Sequence, residues 1–185
     1  MQLRNQRRFR TFNSALEPVA DGNDRHALRN FNFMNDGQPP SVGALANALG
    51  FEVEFANLPN GISGYLADEP FAPNGKKIVV NANHPVTRQR WTTLHEIAHY
   101  YLHPRYTDPF APETHRAGVA SADHFYATDE ELLEEREANE WVEAVVFEQS
   151  ALKAAVSMHG DDMRAIARNF GVSIETLKIR LNKGA

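Results

Sequence analysis

The sequence predicts an α+β fold: a small, mainly antiparallel sheet beside two long helices, with a further helical segment at the C-terminal end. Three observations carry this. Short extended runs between residues 51 and 80 are punctuated by Pro, Asn and Gly; two longer stretches around residues 87–103 and 128–149 keep a helical period; and a closing stretch holds two short helical patterns broken at Gly171.

Taken in order, residues 1–38 read as an N-terminal extension, polar and partly flexible. Its Arg4, Arg7, Arg8 and Arg10 precede any acid, and the stretch reads as a solvated terminus rather than a nucleic-acid arm or transit-like segment. Pro39 and Pro40 then introduce Ser41, a helix cap, after which Val42, Leu45, Ala46 and Leu49 recur at helical spacing until Gly50. Phe51 to Phe55, Ile62 to Leu66 and Lys77 to Val80 are the strand candidates. From Thr87 to His103 the apolar positions Trp91, Leu94, Ile97, Ala98, Tyr101 and Leu102 share one side of a helix that Pro104 ends. Residues 104 to 127 show no period and read as a long loop. Thr128 with Glu131 fits a capping box that opens a helix running to about Gln149. Asp161 to Asn169 and Ser173 to Leu181 close the chain as a pair of short helices. Residues 39–150 thus form one predicted domain, with residues 151–185 packed on it.

Composition removes several function classes. A chain of 185 residues with 42% hydrophobic and 23% charged residues is built to fold. With no Cys, thiolate metal sites, disulfides and cysteine nucleophiles are excluded, so any metal is held by His, Asp or Glu. No run is apolar enough to span a bilayer and Met1 to Phe12 lacks a secretory core, which predicts a cytoplasmic protein without a membrane partner. The net charge of -5 argues against nucleic acid as the main partner.

His95-Glu96-Ile97-Ala98-His99 is an H-E-x-x-H sequence inside the first long helix. The i, i+4 spacing stacks both imidazoles on one face, where two nitrogens share one ion. Zn2+ suits neutral imidazole and carboxylate ligands, and a catalytic site leaves one position for water. Glu96 stands beside the metal as the general base for that water. His103, a further turn on, does not continue a three-histidine spacing and reads as structural or peripheral. The third ligand is expected from the Asp129 to Gln149 helix. There Ala138, Trp141, Val142 and Val145 define the buried side, with Glu131, Glu134 and Glu135 nearest it and Glu137 further round. Periodicity does not choose among them.

The string from Gln89 to His103 resembles the active-site helix of the ImmA/IrrE family of zinc metallo-endopeptidases. Its surroundings are similar too: Ala44 to Gly50, Ile62-Ser63-Gly64 and Ile78-Val79-Val80-Asn81 precede the motif in that order, and Glu135-Arg136-Glu137-Ala138-Asn139 and Phe170-Gly171-Val172-Ser173 follow it. The likeness spans about residues 39 to 183. It implies a zincin-like fold, Glu135 as third zinc ligand with Glu137 as runner-up, and Asn139 as the partner that steadies a ligand histidine. It also implies an intracellular endopeptidase that cleaves a transcriptional repressor in stress or mobile-element control. The chain departs from the family after this signature, at Trp141 to Glu148, which bears on substrate choice more than on metal binding.

Two other functions compete. Ala167, Gly171, Val172 and Leu177 fit a helix-turn-helix pattern and residues 151–185 are net basic, which suggests a DNA-binding regulator. A metal-binding pseudo-enzyme that sequesters a protein partner is the other, although a purely structural site has no need of Glu96. Burial of Ile174, Leu177 and Leu181 leaves the last helix a mixed-charge face with Glu175 on it. That favours docking on the protein's own core or its substrate over docking on DNA. A substrate peptide is expected in extended form along an edge strand, Ile62 to Leu66 or Lys77 to Val80.

Overall fold

Residues 9–31, 39–107 and 128–183 are described in the computed structural model of the chain. Arg4, Arg7, Arg8 and the loop predicted over 104–127, apart from its first residues, lie outside them. Within the stretch read from sequence as an extension, two helices form: α1 (Phe12–Leu16), opened by a Thr11–Ser14 capping box, and α2 (Gly22–Asn30), capped by the Asp21 carboxylate. Both belong to the core. Ala15, Leu16, Val19 and Leu28 are buried, Trp141 Nε1 donates to the Ala15 carbonyl at 2.7 Å, and Tyr101 Oη donates to Asp24 at 2.7 Å. These anchors come from residues some eighty to one hundred and twenty-five positions away along the chain, so no local pattern announces them.

Next comes α3 (Val42–Ala48), with Ser41 Oγ accepting from Ala44 N–H, and then β1 (Glu52–Ala56), β2 (Gly64–Asp68) and β3 (Lys76–Asn81). The sequence predicts a mainly antiparallel sheet; the observed one is mixed, in the order β1-β3-β2. β1 runs parallel to β3 with Glu52 opposite Lys77, and β2 runs antiparallel to it with Gly64 opposite Val80. β3 takes the centre because Ile78, Val79, Val80 and Asn81 are all buried, an apolar run that needs cover on both faces, whereas β1 is largely open. The strand at Lys77 to Val80 is therefore no edge, and a docking peptide has β2, not β3, available to it.

The loop before β2 is clamped by Asn81, whose Nδ2 donates to the Ile62 carbonyl at 2.7 Å and to those of Leu58 and Pro59 at 3.1 Å. Gly64 then allows a close approach. A Cβ there would lie 2.5 Å from the Val79 oxygen and 2.6 Å from Thr92 Cγ2, so any side chain would push the sheet away from the next helix.

That helix is α4 (Val86–Leu102), ended by His103 and a 3-10 turn at Pro104–Tyr106. α5 (Asp129–Val146) starts from the Thr128–Glu131 capping box and lies against α4. It stops before Gln149 because Phe147 leaves the helical conformation and Glu148 caps a new helix, α6 (Gln149–His159), accepting from Ala151 N–H at 3.0 Å. The sequence reading assigns no element to residues 150–160, most of which α6 occupies. α7 (Met163–Phe170) and α8 (Ile174–Lys183) follow. Among the described residues one hydrophobic cluster runs from α1 to α8, and the Phe147 and Phe170 rings, 5.3 Å apart, join the last helices to α5. Each fully buried side chain of this size contributes about 1.5–3 kcal/mol. Of the three residues expected to be buried in α8, Leu177 is fully so, Leu181 only partly, and Ile174 is 37% exposed.

Candidate metal centre

α4 and α5 pack with His95 and His99, one turn apart, turned toward Glu135. His95 Nε2 is 3.1 Å from Glu135 Oε2, His99 Nε2 is 3.2 Å from Glu135 Oε1, and the two Nε2 atoms are 2.9 Å apart. One ligand atom from each residue lies within 4.8 Å of the others, a group that could hold a metal ion. Neither Glu134 nor Glu137 joins it. Asn139, one turn beyond Glu135, donates to the Glu135 carbonyl at 2.8 Å and accepts from Trp91 Nε1 at 3.1 Å. Its side chain is also among the groups that favour the charged form of His95.

Glu96, next in sequence to His95, lies beside the Leu66 backbone of β2. It is fully buried, and neither of its oxygens has a hydrogen-bond partner of normal geometry among the described residues. Burial pushes its pKa from the ordinary 4.5 up to about 8, against the opposing pull of His95 and of the Leu66 backbone beside it. A buried carboxyl kept near neutral pH is placed to take up and release protons.

The other three groups titrate together. Burial drives His99 down to about 4, outweighing its hydrogen bond to Glu135. Burial opposes the charge of His95 as well, but Glu135, Glu96 and Asn139 together raise it. Glu135 resists desolvation because both imidazoles bond it, and falls well below the usual carboxylate range. Two Nε2 atoms at 2.9 Å can share only one proton, and three lone-pair donors aimed at one point repel each other. A divalent cation satisfies all three together, so this N, N, O set fits a metal of borderline softness.

A family model described as the IrrE N-terminal-like domain, a peptidase family, matches residues 46–182. The chain belongs to this peptidase family. No curated protein matches it at significant similarity. Membership makes this a metallopeptidase-type chain that acts on protein substrates, and no helix among the described residues is long and apolar enough to cross a membrane.

Next to this candidate metal-binding group, the peptidase domain holds a second buried group, built on His103, whose other members the sequence does not disclose. His103, only 1% exposed, donates from Nε2 to the Glu134 carbonyl at 3.3 Å; its Nδ1 is 4.0 Å from Glu134 Oε1 and 3.9 Å from Glu137 Oε2. Arg105 pairs with Glu134 at 2.5 Å and also donates to Tyr106 Oη at 3.1 Å. Tyr106, buried with its pKa raised by desolvation, sets its ring 5.0 Å from that of His99. Glu137, which the helical period puts away from the core, is thus buried, but against His103. Arg105 and Tyr106 sit just past the helix end in what reads as loop; the only hint in the sequence is their place directly after Pro104.

Proposed function

We propose that this chain is a zinc-dependent endopeptidase in which His95, His99 and Glu135 hold the ion, Glu96 is the general base and Asn139 is a positioning residue for His95. The observation that carries the reading is the convergence of His95, His99 and Glu135 within 4.8 Å beside a buried, unpartnered Glu96. Zinc, when bound, supplies Lewis acidity that acidifies a water and polarises the scissile carbonyl. Glu96 accepts the proton of the attacking water on its carboxylate and passes it to the departing amine nitrogen. Leu66 of β2 lies beside Glu96, so the free edge of that strand is the element that holds a substrate peptide extended and presents one bond to the site. The Trp91–Asn139 hydrogen bond fixes the side chain that faces His95.

The substrate class is a regulatory protein in the cytoplasm, a transcriptional repressor, as the family resemblance implies. DNA binding has less support, because Glu175 stands exposed on the first turn of α8 and Ile174 remains open beside it. Sequestration by an inactive metal protein is separated by experiment. The purified protein is expected to carry about one zinc per chain, lost in His99→Ala, and to cleave a repressor encoded beside it at one site. Stoichiometric zinc in His99→Ala would remove the ligand assignment. Full zinc with no cleavage of any neighbouring repressor would favour sequestration.

A further inference from the structure

Away from the metal trio, the turn between α7 and α8 meets the first turn of α4 in a groove of about 480 Å³. Val86, Val172 and Ile174 give it apolar walls, and Arg90, Arg164 and Arg168 bring three guanidinium groups. Val86 is 69% exposed and Ile174 37%, so two of these aliphatic residues face solvent. Arg164 and Arg168 stand at i, i+4 on one face of α7, both exposed, and among the described residues neither is ion-paired. Asp162, the acid just before them, accepts at Oδ1 from the N–H groups of Arg164 and Ala165 as the cap of α7. Arg90 is held in place: its Nη1 donates to the Pro40 carbonyl at 2.7 Å, while its Nε is buried without a partner among the described residues. Gly171 makes this possible. At φ 63° it turns the chain between the helices, and a Cβ there would lie 2.5 Å from Arg90 Nε.

We propose that this groove is a docking site for a short acidic peptide segment carrying a large aliphatic side chain, supplied by a protein partner. The carboxylates pair with Arg164 and Arg168, and the aliphatic side chain enters between Val86 and Ile174. A nucleic-acid backbone matches the three arginines but has nothing to place against the aliphatic walls. Identifying the partner with the substrate rests on the peptidase reading; the binding itself does not. Docking there would tether a substrate at the start of α4, about 14 Å along the helix from His95.

The test uses the full chain carrying Glu96→Gln, with fluorescence anisotropy of a labelled peptide of about ten residues that alternates Glu and Leu. Its controls are the same peptide with Gln for Glu and a short labelled DNA duplex. Saturable binding of the acidic peptide is expected, weakened about tenfold or more in Arg164→Glu/Arg168→Glu and in the Gln peptide. Ile174→Asp, an independent exposed position, is expected to weaken it as well, with circular dichroism confirming that each variant is folded. Equal affinity for the Gln peptide, indifference to the paired arginine substitution, tighter binding of the duplex or no peptide binding at all would each overturn the proposal. None of these readouts involves zinc content or cleavage, so failure here leaves the peptidase reading intact, and failure there leaves this result standing.

Discussion

Two largely buried polar groups lie side by side where α4 and the turn that follows it meet α5, and they are built on opposite principles. The rear group, His103, Arg105, Glu134 and Glu137, mixes charges of both signs, and Arg105 meets Glu134 at 2.5 Å. The front group aims two imidazoles and a carboxylate at one point and leaves both oxygens of Glu96 without partners among the described residues. Buried polar atoms left unsatisfied destabilise a fold, and the rear group has one too, since Arg105 Nε lacks a hydrogen-bond partner among the described residues, so what separates the groups is how their charges are arranged. The rear group compensates its charges internally; the front group fits a cation and a proton acceptor.

The sharpest division should come from Glu96→Gln in the zinc-bound protein. It is expected to lower peptide cleavage by about 10²–10⁴-fold with zinc content unchanged, since only the proton acceptor is altered. Rates comparable to wild type, measured beside metal analysis, would erase the distinction between the two groups. A rear-group substitution should do the reverse. Arg105→Met is expected to cost about 3 kcal/mol in urea unfolding, because it leaves Glu134 buried without that cation, while zinc stoichiometry persists. Loss of zinc with unchanged stability would mean that the rear group belongs to the metal site.

Proton linkage tests the front group alone. In chelated protein, Glu96 holds its proton up to about pH 8 in the folded state but only to about 4.5 when unfolded. Between these values the folded state binds more protons. The stability this contributes is therefore complete below the lower value and is lost as pH rises through the upper one, at about 1.4 kcal/mol for each pH step of one. Glu96→Gln, neutral at every pH, should flatten that decline in thermal melts taken from about pH 5 to 9. Parallel curves for the two proteins would show that Glu96 is not the buried group responsible. The smallest effect belongs to the cap of α5: Thr128→Ala should cost about 1 kcal/mol, read in the same unfolding assay, and leave both groups in register. A larger loss accompanied by zinc release would mean that the cap itself sets the position of Glu135.

What the sequence determined by itself was whatever depends on near neighbours. The i, i+4 spacing of His95 and His99 fixes a shared helical face, Thr128 and Glu131 declare the start of α5, and Ser41 that of α3. The three strands were legible, the first from its alternation and all from the turn residues between them, although their order was not. Tertiary structure decided the rest, because it depends on which distant faces meet. Helical period ranks Glu131, Glu134 and Glu135 alike, yet the packing of α4 on α5 uses the first as a cap, pairs the second with Arg105 and turns the third toward the two imidazoles. The close approach at Gly64 brings β2 up to α4, Trp141 and Tyr101 bond to α1 and α2 over long stretches of chain, and the packing of α7 sets Arg164 and Arg168 in one groove with Arg90. A periodic pattern states which face of an element is apolar; what that face meets is set by burial summed over the whole chain.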